Sequence, residues 1–480
     1  MKRIPKILLW SGLTMTGFAA QKLKSEPLFD PTGAAPKFEY VPLGARPKVR
    51  AQRRRFAPRR LPQPTPPTQF GDPLAQLTAD QLAEFAEGRE EFENVEDIDG
   101  GLGPIFNESS CVACHFSAAT GGAGPNLVTR FGRVTNGQYD PLGARGGSLL
   151  QDKAIDPAAL EIVPSEANIV VHRQSTPLFG LGLIEAIPDE VIERNAAPRR
   201  PDYPPRRTDP TRPGAPTRPG SPMPPGAPRD RRDGGNGPRG GSDDGNSYRE
   251  TRIQGRVSRV IDVVSGTSRV GRFGWKAQQA TLLAFAGDAY LNEMGITNRF
   301  FPTENAPNGD LAKLAAFDHI ADIEDEADES TGRSDIDAAA DFMRYLAPPP
   351  QLPMSPSAGE GRRIFQSLNC AACHTPMMFT GPNAIAALDR KPVPLFSDLL
   401  LHDMGALGDG IAQADARPYE FRTPPLWGLR ASAPYLHDGR AATVDAAIRL
   451  HSGEAAHSRD RYLQLTPTQQ QQVLDFLNTL

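Results

Sequence analysis

The chain has 480 residues, of which 39% are hydrophobic, enough for two or three packed domains. Its 53 basic and 57 acidic side chains nearly cancel, leaving a formal net charge of -4 at pH 7. This balance argues against a nucleic-acid-binding surface on the folded part and names no other partner. The 48 prolines and 45 glycines are spread unevenly, which predicts that some segments lie outside the packed domains.

The N-terminal residues have the pattern of an export signal. Basic side chains precede the apolar run Ile7–Ala20, within which Gly17 and Ala19 are placed for cleavage. We predict a signal peptide over residues 1–19 and a periplasmic or otherwise exported protein. The alternative is an uncleaved membrane anchor, although the run is shorter than the roughly 20 apolar residues that a membrane-spanning helix needs.

Two stretches lack the apolar periodicity of a packed domain. Residues 20–72 are rich in proline and arginine, most clearly from Lys37 to Phe70, and predict a disordered tether. Residues 197–247 alternate proline, arginine, glycine and aspartate. This composition predicts a spacer inserted into the first domain.

Between these stretches, residues Ala79–Glu93 predict a helix. Thr78 and Gln81 have the spacing of a capping box at its N-terminus. The apolar side chains expected to share its buried face are Leu82, Phe85 and Phe92.

Two segments, 111–115 and 370–374, read Cys-x-x-Cys-His and contain all four cysteines. Cysteines in an exported protein ordinarily indicate disulfides, but this spacing is typical of covalent haem attachment. A zinc site would need further ligands, and a thioredoxin-type pair would not require the histidine. We predict two haems c, with thioethers from Cys111, Cys114, Cys370 and Cys373 and proximal iron ligands from His115 and His374.

The sequence near each motif recurs in the other half. The repeated elements are Gly-Pro-Asn at 124–126 and 381–383, and an arginine followed by Pro-Leu-aromatic-Gly-Leu at 173–181 and 422–429. The apolar spacing around both motifs is helical. We therefore predict a mainly α fold of two cytochrome c-like domains, residues 73–348 and 349–480, each with one haem c.

The sixth ligand decides what a haem iron does: a strong ligand suits electron transfer, and an open position binds peroxide or oxygen. Spacing alone does not choose that ligand among the histidines outside the motifs. These are His172, His319, His402, His437, His451 and His457.

Five segments resemble known haem proteins. Two resemble the C-terminal signature of the bacterial di-haem cytochrome c peroxidases: Phe-Arg-Thr-Pro-Pro-Leu-Trp-Gly-Leu at 421–429 and Ala-Pro-Tyr-Leu-His-Asp-Gly-Arg-Ala-Ala-Thr at 433–443. Three are similar to the di-haem oxidoreductase branch, sometimes labelled thiol oxidoreductase-like: Gly-Arg-Phe-Gly-Trp-Lys-Ala at 271–277, Ser-Asp-Leu-Leu-Leu-His-Asp-Met-Gly at 397–405 and His-Ser-Gly-Glu-Ala at 451–455. The resemblance covers roughly residues 76–480 apart from the insertion.

The resemblance implies different surroundings for the two irons. His451 falls where the peroxidases carry the distal methionine of the second haem, which implies a His374–His451 pair; Met404 is the competing ligand. For the first haem, no histidine occurs between His115 and His172. The resemblance therefore implies an open first iron.

The resemblance also implies an acid–base residue at the first haem. Glu293, within Asn-Glu-Met-Gly at 292–295, matches the peroxidases' catalytic acid. Leu283 stands near the position of a glutamine that often accompanies this acid. This departure from the family pattern argues against peroxidase activity. Glu185 is a second acidic candidate.

Two further features follow from the family. The peroxidases carry a tryptophan between their haems, and Phe273 aligns with it; Trp275 lies two residues further along this chain. Either ring is a candidate electron relay or simply a core side chain. The family's calcium ion would lie at the domain boundary near the segment 432–434. Its ligands there are mostly backbone oxygens, which the sequence does not reveal, so no residues are assigned to it.

These expectations combine into an exported di-haem oxidoreductase similar to cytochrome c peroxidase. Electrons from a small cytochrome or cupredoxin would pass through the second haem to the first, where peroxide or a related oxidant reacts. Acidic residues at 84–99 and 318–329 are either a surface that steers a cationic donor or simply solvated helix faces. The alternatives are an electron carrier without catalysis and an enzyme that oxidises an organic or protein substrate. The sequence leaves the oligomeric state open.

Overall fold

The computed structural model describes residues 69–196 and 253–480. The predicted signal peptide (1–19), almost all of the predicted tether (20–72) and the predicted insertion (197–247) lie outside these ranges. Within them, no helix has the length and apolar character needed to cross a membrane.

The described ranges contain short helices connected by long irregular segments. The α-helices are α1 (Ala79–Glu93), α2 (Leu181–Glu185), α3 (Asp189–Ala196), α4 (Leu282–Ala289), α5 (Leu311–Phe317), α6 (Asp335–Tyr345), α7 (Pro356–Ser367), α8 (Val444–Leu450), α9 (Ala456–Leu463) and α10 (Pro467–Leu477). One turn of π-helix, Tyr290–Met294, continues α4.

Antiparallel pairs of short strands make up the sheets. The strands are β1 (Ile105–Phe106), β2 (Leu127–Thr135), β3 (Gln138–Asp140), β4 (Lys153–Ala154), β5 (Ile169–Gln174), β6 (Ser258–Asp262), β7 (Thr267–Gly271), β8 (Met378–Phe379), β9 (Pro392–Val393), β10 (Leu401–Asp403) and β11 (Glu420–Arg422). In the described ranges the pairs are β1–β4, β6–β7, β8–β9 and β10–β11, and one sheet has the order β3-β2-β5.

The prediction of a mainly α fold is only partly correct. Helices of all kinds hold 34% of the described residues, and most of the remainder is irregular. The longest strand, β2, has a burial pattern without clean alternation, so the sequence offers little period-two signal by which to detect it.

The predicted helix is confirmed as α1, with the predicted bounds. Thr78 and Gln81 form the capping box, which satisfies N–H groups that have no partner within the helix. Phe85 and Phe92 are buried, but Leu82 is 44% exposed. Leu82 was therefore wrongly placed on the buried face.

A glycine brings two helices into close contact in each half of the chain. A Cβ at Gly88 of α1 would lie 2.2 Å from the carbonyl oxygen of Ala338 in α6, and one at Gly361 of α7 would lie 1.8 Å from that of Gln472 in α10. Each of these two helix pairs can pack this closely only because the glycine has no side chain. In each half, the first helix of the pair precedes a Cys-x-x-Cys-His motif, so the repeat extends from sequence to packing.

Two hydrophobic cores support the motifs. The smaller core lies around α7 and α10 and includes Phe365 and Phe476. The larger core lies around α1, α4 and α6, and it also contains Met378, Leu388 and Leu400 from beyond residue 349. Apolar packing therefore crosses the predicted boundary between residues 348 and 349, which itself stays a prediction.

Candidate functional site: the two Cys-x-x-Cys-His motifs

The second motif is a tight turn that presents the ring of His374. Cys370–Ala372 forms one turn of 3-10 helix, and the His374 amide donates to the Cys370 carbonyl at 3.0 Å. The His374 Nδ1 lies 3.0 Å from the carbonyl oxygen of Phe396. Since a carbonyl only accepts, Nδ1 carries the proton, and the lone pair of Nε2 is available to a metal.

His451 faces this ring from the C-terminal end of α8. Its Nδ1 lies 2.8 Å from the carbonyl oxygen of Ala447, so its Nε2 is also available. The centres of the His374 and His451 rings are 6.5 Å apart. Two imidazoles bound to one metal at about 2 Å each would have ring centres roughly 6 to 6.5 Å apart. The spacing therefore fits one metal ion between the two rings.

Burial keeps both rings neutral, the form in which histidine binds a metal. Burial, followed by the neighbouring His451, lowers the pKa of His374 to about 4. Burial also lowers the pKa of His451.

A cavity of about 240 Å³ opens beside this pair. Its wall includes Cys370, Cys373, His374, His451, Met404 and Trp275. Within the described residues, which include all four cysteines, no disulfide occurs. The thiols and the histidines thus border one space, as covalent attachment of a haem requires, and the competing ligand Met404 borders it too.

The first motif has the same local geometry. Cys111–Ala113 forms a 3-10 turn, and the His115 amide donates to the Cys111 carbonyl at 3.1 Å. The His115 Nδ1 lies 3.1 Å from the carbonyl oxygen of Gly122, so its Nε2 is also available. Burial lowers the pKa of His115 to about 4. The donor set therefore fits a second haem c.

Glu293 lies beside the first motif, on the π-helical turn. Its carboxylate accepts a hydrogen bond from Nδ2 of Asn107 at 2.8 Å, and its carbonyl accepts from the Asn107 amide at 2.8 Å. Burial raises its pKa, and its charge in turn contributes to the raised pKa of Cys114. π-Helical turns often occur at functional sites. The structure thus brings the predicted acid to the first motif.

Two asparagines that were not predicted as site residues form hydrogen bonds around the first motif. Asn107 is buried and orients Glu293. Asn126 donates to the carbonyl of Ala113 at 3.0 Å and lies 3.6 Å from the sulfur of Cys114. The repeated Gly-Pro-Asn was the available signal for Asn126; no local signal marked Asn107.

Trp275 lies between the two motifs. Its Nε1 donates to the carbonyl of Gln174 at 2.8 Å, and the next residue, Ser175, donates to the carbonyl of Cys114 at 2.6 Å. Its ring also borders the cavity of the second motif. Phe273, in contrast, is buried in the larger core, with its ring 6.1 Å from that of Phe285.

Glu185 is placed away from this chemistry. Its carboxylate accepts from the Leu282 amide at 2.7 Å and from Nε of Arg344 at 3.0 Å. These bonds fasten α2 to the start of α4 and to α6, so its observed contacts are structural.

A buried charged cluster flanks Cys373. His402 lies between two carboxylates: Nε2 is 3.0 Å from Asp398, and Nδ1 is 2.9 Å from Glu454 and 3.7 Å from the sulfur of Cys373. Burial opposes the charged ring, but the bonds to these groups outweigh it and raise the pKa of His402 to about 12. Asp398, His402 and Glu454 come from two of the resemblance segments.

A second buried cluster joins the two halves of the chain. Nε of Arg173 lies 2.7 Å from Asp409, and Nζ of Lys276 lies 3.1 Å from the same carboxylate. Lys276 also lies 3.9 Å from the ring centre of Phe421, which stacks on His437 at 4.2 Å. Lys276, Phe421 and His437, which belong to three different resemblance segments, are therefore in contact with one another.

Comparison with known proteins finds relatives of part of the chain. Residues 249–480 match the family described as "Di-haem oxidoreductase, putative peroxidase". The methylamine utilization protein MauG of Methylophilus methylotrophus is 29% identical over 128 residues, which is 26% of this chain and 34% of MauG. The chain thus aligns with about a third of that relative.

Solved structures overlap with the chain only in part. A MauG-like protein associated with microbial copper homeostasis is 20% identical, with 48% of this chain and 80% of that chain covered at a TM-score of 0.27. The diheme peroxidase BthA of Burkholderia thailandensis is 15% identical, with 43% and 65% covered at a TM-score of 0.26. At these scores the superpositions do not define the fold. The sequence matches confirm the predicted resemblance to the di-haem cytochrome c peroxidase superfamily, and the di-haem oxidoreductase match covers residues 249–480.

Proposed function

We propose that this chain is an exported di-haem c-type oxidoreductase. Electrons from a small cytochrome or cupredoxin would enter at the C-terminal motif and pass to the N-terminal motif. Hydrogen peroxide or a related oxidant would be reduced there. For peroxide, two electrons and two protons are consumed and two waters are released.

The observation that carries this proposal is the asymmetry between the two motifs. His374 faces a second imidazole at 6.5 Å, which suits electron transfer. His115 has no facing histidine ring among the described residues, which include all eight histidines of the chain. A buried carboxylate, Glu293, lies near this motif instead.

When bound, the two haems would supply irons that exchange single electrons, one of them with a position open to a ligand. Cys111 and Cys114 would anchor the first haem, and His115 would bind its iron through Nε2. Glu293, whose pKa is raised by burial, would hold the proton that the leaving oxygen of peroxide needs. The Asn107 amide fixes the direction of that carboxyl group.

Trp275 supports a route between the motifs. Its indole borders the cavity of His374, and its hydrogen bond to Gln174 brings it to the segment that contacts Cys114 through Ser175. We assign the relay to Trp275, since Phe273 is packed in the core.

The test is spectroscopy of the purified holoprotein, oxidised and half-reduced, before and after addition of peroxide. We expect one high-spin haem that reacts with peroxide and one low-spin haem. Glu293→Gln should lower turnover by about 10²- to 10⁴-fold. Asp156→Asn, which removes an exposed carboxylate that accepts from the Ala158 amide in its own turn, is the control and should turn over normally. Two inert low-spin haems would instead identify an electron carrier.

A second candidate is oxidation of an organic or protein substrate at the same open position. The similarity to MauG, a methylamine utilization protein, favours it. Product analysis with candidate amines and proteins would separate the two reactions, because peroxide reduction alone leaves those compounds unchanged.

A further inference from the structure

Three carboxylates converge away from both motifs. Oxygens of Glu304, Asp322 and Glu324 all lie within 4.8 Å of one another. Thr297, which is fully buried, donates its hydroxyl hydrogen to the Glu324 carboxylate and lies 3.2 Å from Asp322. The cluster therefore joins the segment that follows the π-helical turn to the acidic segment around residue 322.

Glu304 has an unsatisfied oxygen at this point. The residue is only 6% exposed. Its Oε1 accepts from the Asn305 amide at 3.0 Å, whereas its buried Oε2 has no hydrogen-bond partner among the described residues. A buried carboxylate oxygen without a donor is costly, which indicates that something else binds it.

The negative charge of the cluster is also uncompensated. In the part of the chain that the structure describes, no lysine or arginine forms an ion pair with Glu304, Asp322 or Glu324. Burial, and then the Glu324 charge, raise the pKa of Glu304 to about 9. Either a proton or a cation must offset this repulsion.

The spacing suits a calcium ion. Calcium takes six to eight oxygen ligands at about 2.3–2.6 Å, so two of its ligands can be at most roughly 4.6–5.2 Å apart. The three carboxylates satisfy this limit, and the exposed position of Asp322 leaves room for water ligands. Thr297 is occupied in orienting Glu324, since its hydroxyl also accepts from the Glu324 amide at 3.2 Å.

We propose that Glu304, Asp322 and Glu324 bind one calcium ion, with water completing its shell. This site is separate from the segment 432–434, where the family's calcium is expected. The ion would hold Glu324, which binds Thr297. Because Thr297 lies four residues after Glu293, the ion would also stabilise the π-helical turn that contains Glu293. The inference rests on the carboxylates alone and does not depend on the proposed reaction.

The experiment is calcium titration of the full-length, haem-loaded protein after treatment with a chelator. Isothermal calorimetry should show that Glu304→Gln and Asp322→Asn each bind one calcium fewer than the wild type. Glu326→Gln removes an exposed carboxylate from the same segment and should bind as many as the wild type. Calcium should also raise the Tm of the wild type and of Glu326→Gln by more than it raises that of the two site variants.

Equal calcium stoichiometry in all four proteins would overturn the proposal. So would a wild type whose Tm responds to pH near 9 but not to calcium, since a shared proton would then explain Glu304. If Glu304→Gln fails to fold, as judged by its haem spectrum, Asp322→Asn decides the matter because Asp322 is exposed.

Discussion

The rings of His374 and His451 lie with their centres 6.5 Å apart, and each ring uses Nδ1 to bind a backbone carbonyl. Both tautomers are therefore set before any metal binds. The arrangement predicts which of the two competing side chains completes the coordination of the second iron.

His451→Ala should convert the low-spin haem of the C-terminal motif to a high-spin or exogenously ligated form, seen by electron paramagnetic resonance. Met404→Leu should leave the low-spin signal in place. His451→Met should raise the potential of that haem, by a fraction of the roughly 0.8 V that axial ligands span. Loss of the low-spin signal in Met404→Leu alone would assign the ligand to Met404 instead.

Asn107→Leu should impair turnover while leaving the haem spectra unchanged. It removes the hydrogen bond that directs Glu293 and that partly offsets the effect of burial on its pKa. A hydrogen bond to a charged group contributes roughly 1.5–3 kcal/mol, so we expect kcat to fall about 10- to 100-fold.

The pH profile provides the second readout for Asn107. Burial already raises the pKa of Glu293, and the Asn107 bond lowers it. Removing that bond raises the pKa further, so the limb of the kcat profile assigned to Glu293 should move to higher pH. A lower kcat with an unmoved limb would mean that Asn107 acts only on packing.

Trp275→Phe should slow electron transfer between the two motifs without altering peroxide binding. The substitution keeps an aromatic ring but removes the Nε1 donor that reaches Gln174. Stopped-flow mixing of the half-reduced protein with peroxide measures the rate. Phe273→Leu, in the larger core, is the control and should reduce stability rather than the transfer rate.

Gly361→Ala should destabilise the protein, because its Cβ would lie 1.8 Å from a carbonyl of α10. Overpacking of this kind costs about 1–3 kcal/mol. Gly359 lies in the same helix with nothing within 4 Å of a Cβ. Gly359→Ala should therefore stabilise the protein, by up to about 1 kcal/mol. Equal effects in chemical denaturation would show that α7 and α10 do not pack as described.

His402 should make stability depend on pH above neutrality. Hydrogen bonds to Asp398 and Glu454 raise its pKa above the ordinary value of about 6.5. A folded-state pKa above the unfolded one gives stability that is complete below about pH 6.5 and is lost as pH rises toward the folded pKa. Between pH 7 and 10, the Tm of the wild type should fall more steeply than that of His402→Gln; parallel slopes would indicate a neutral ring.

Local signals explain which features the sequence alone could predict. Helix α1 has its cap and its buried aromatic side chains within one short segment, and each haem motif is complete within five residues. Glu293 was predicted through a resemblance, because an isolated glutamate gives no signal of its own.

Contacts between distant residues explain the rest. Asn107 and Glu293 are 186 residues apart in sequence, and His402 reaches Glu454 across 52. Neither pair leaves a periodic pattern. The exposed face of Leu82 was missed for a related reason, since only the placement of α6 decides which side of α1 is covered.

The larger core draws Met378, Leu388 and Leu400 from the C-terminal half into the packing around α1, α4 and α6. Cutting the chain at residue 349 would expose these side chains and leave matching holes in the other fragment. The packing around the first motif is thus completed by side chains from the C-terminal half, whereas the second motif lies against the smaller core. Neither half would keep its packing when separated from the other, so both motifs have to be studied in the intact chain.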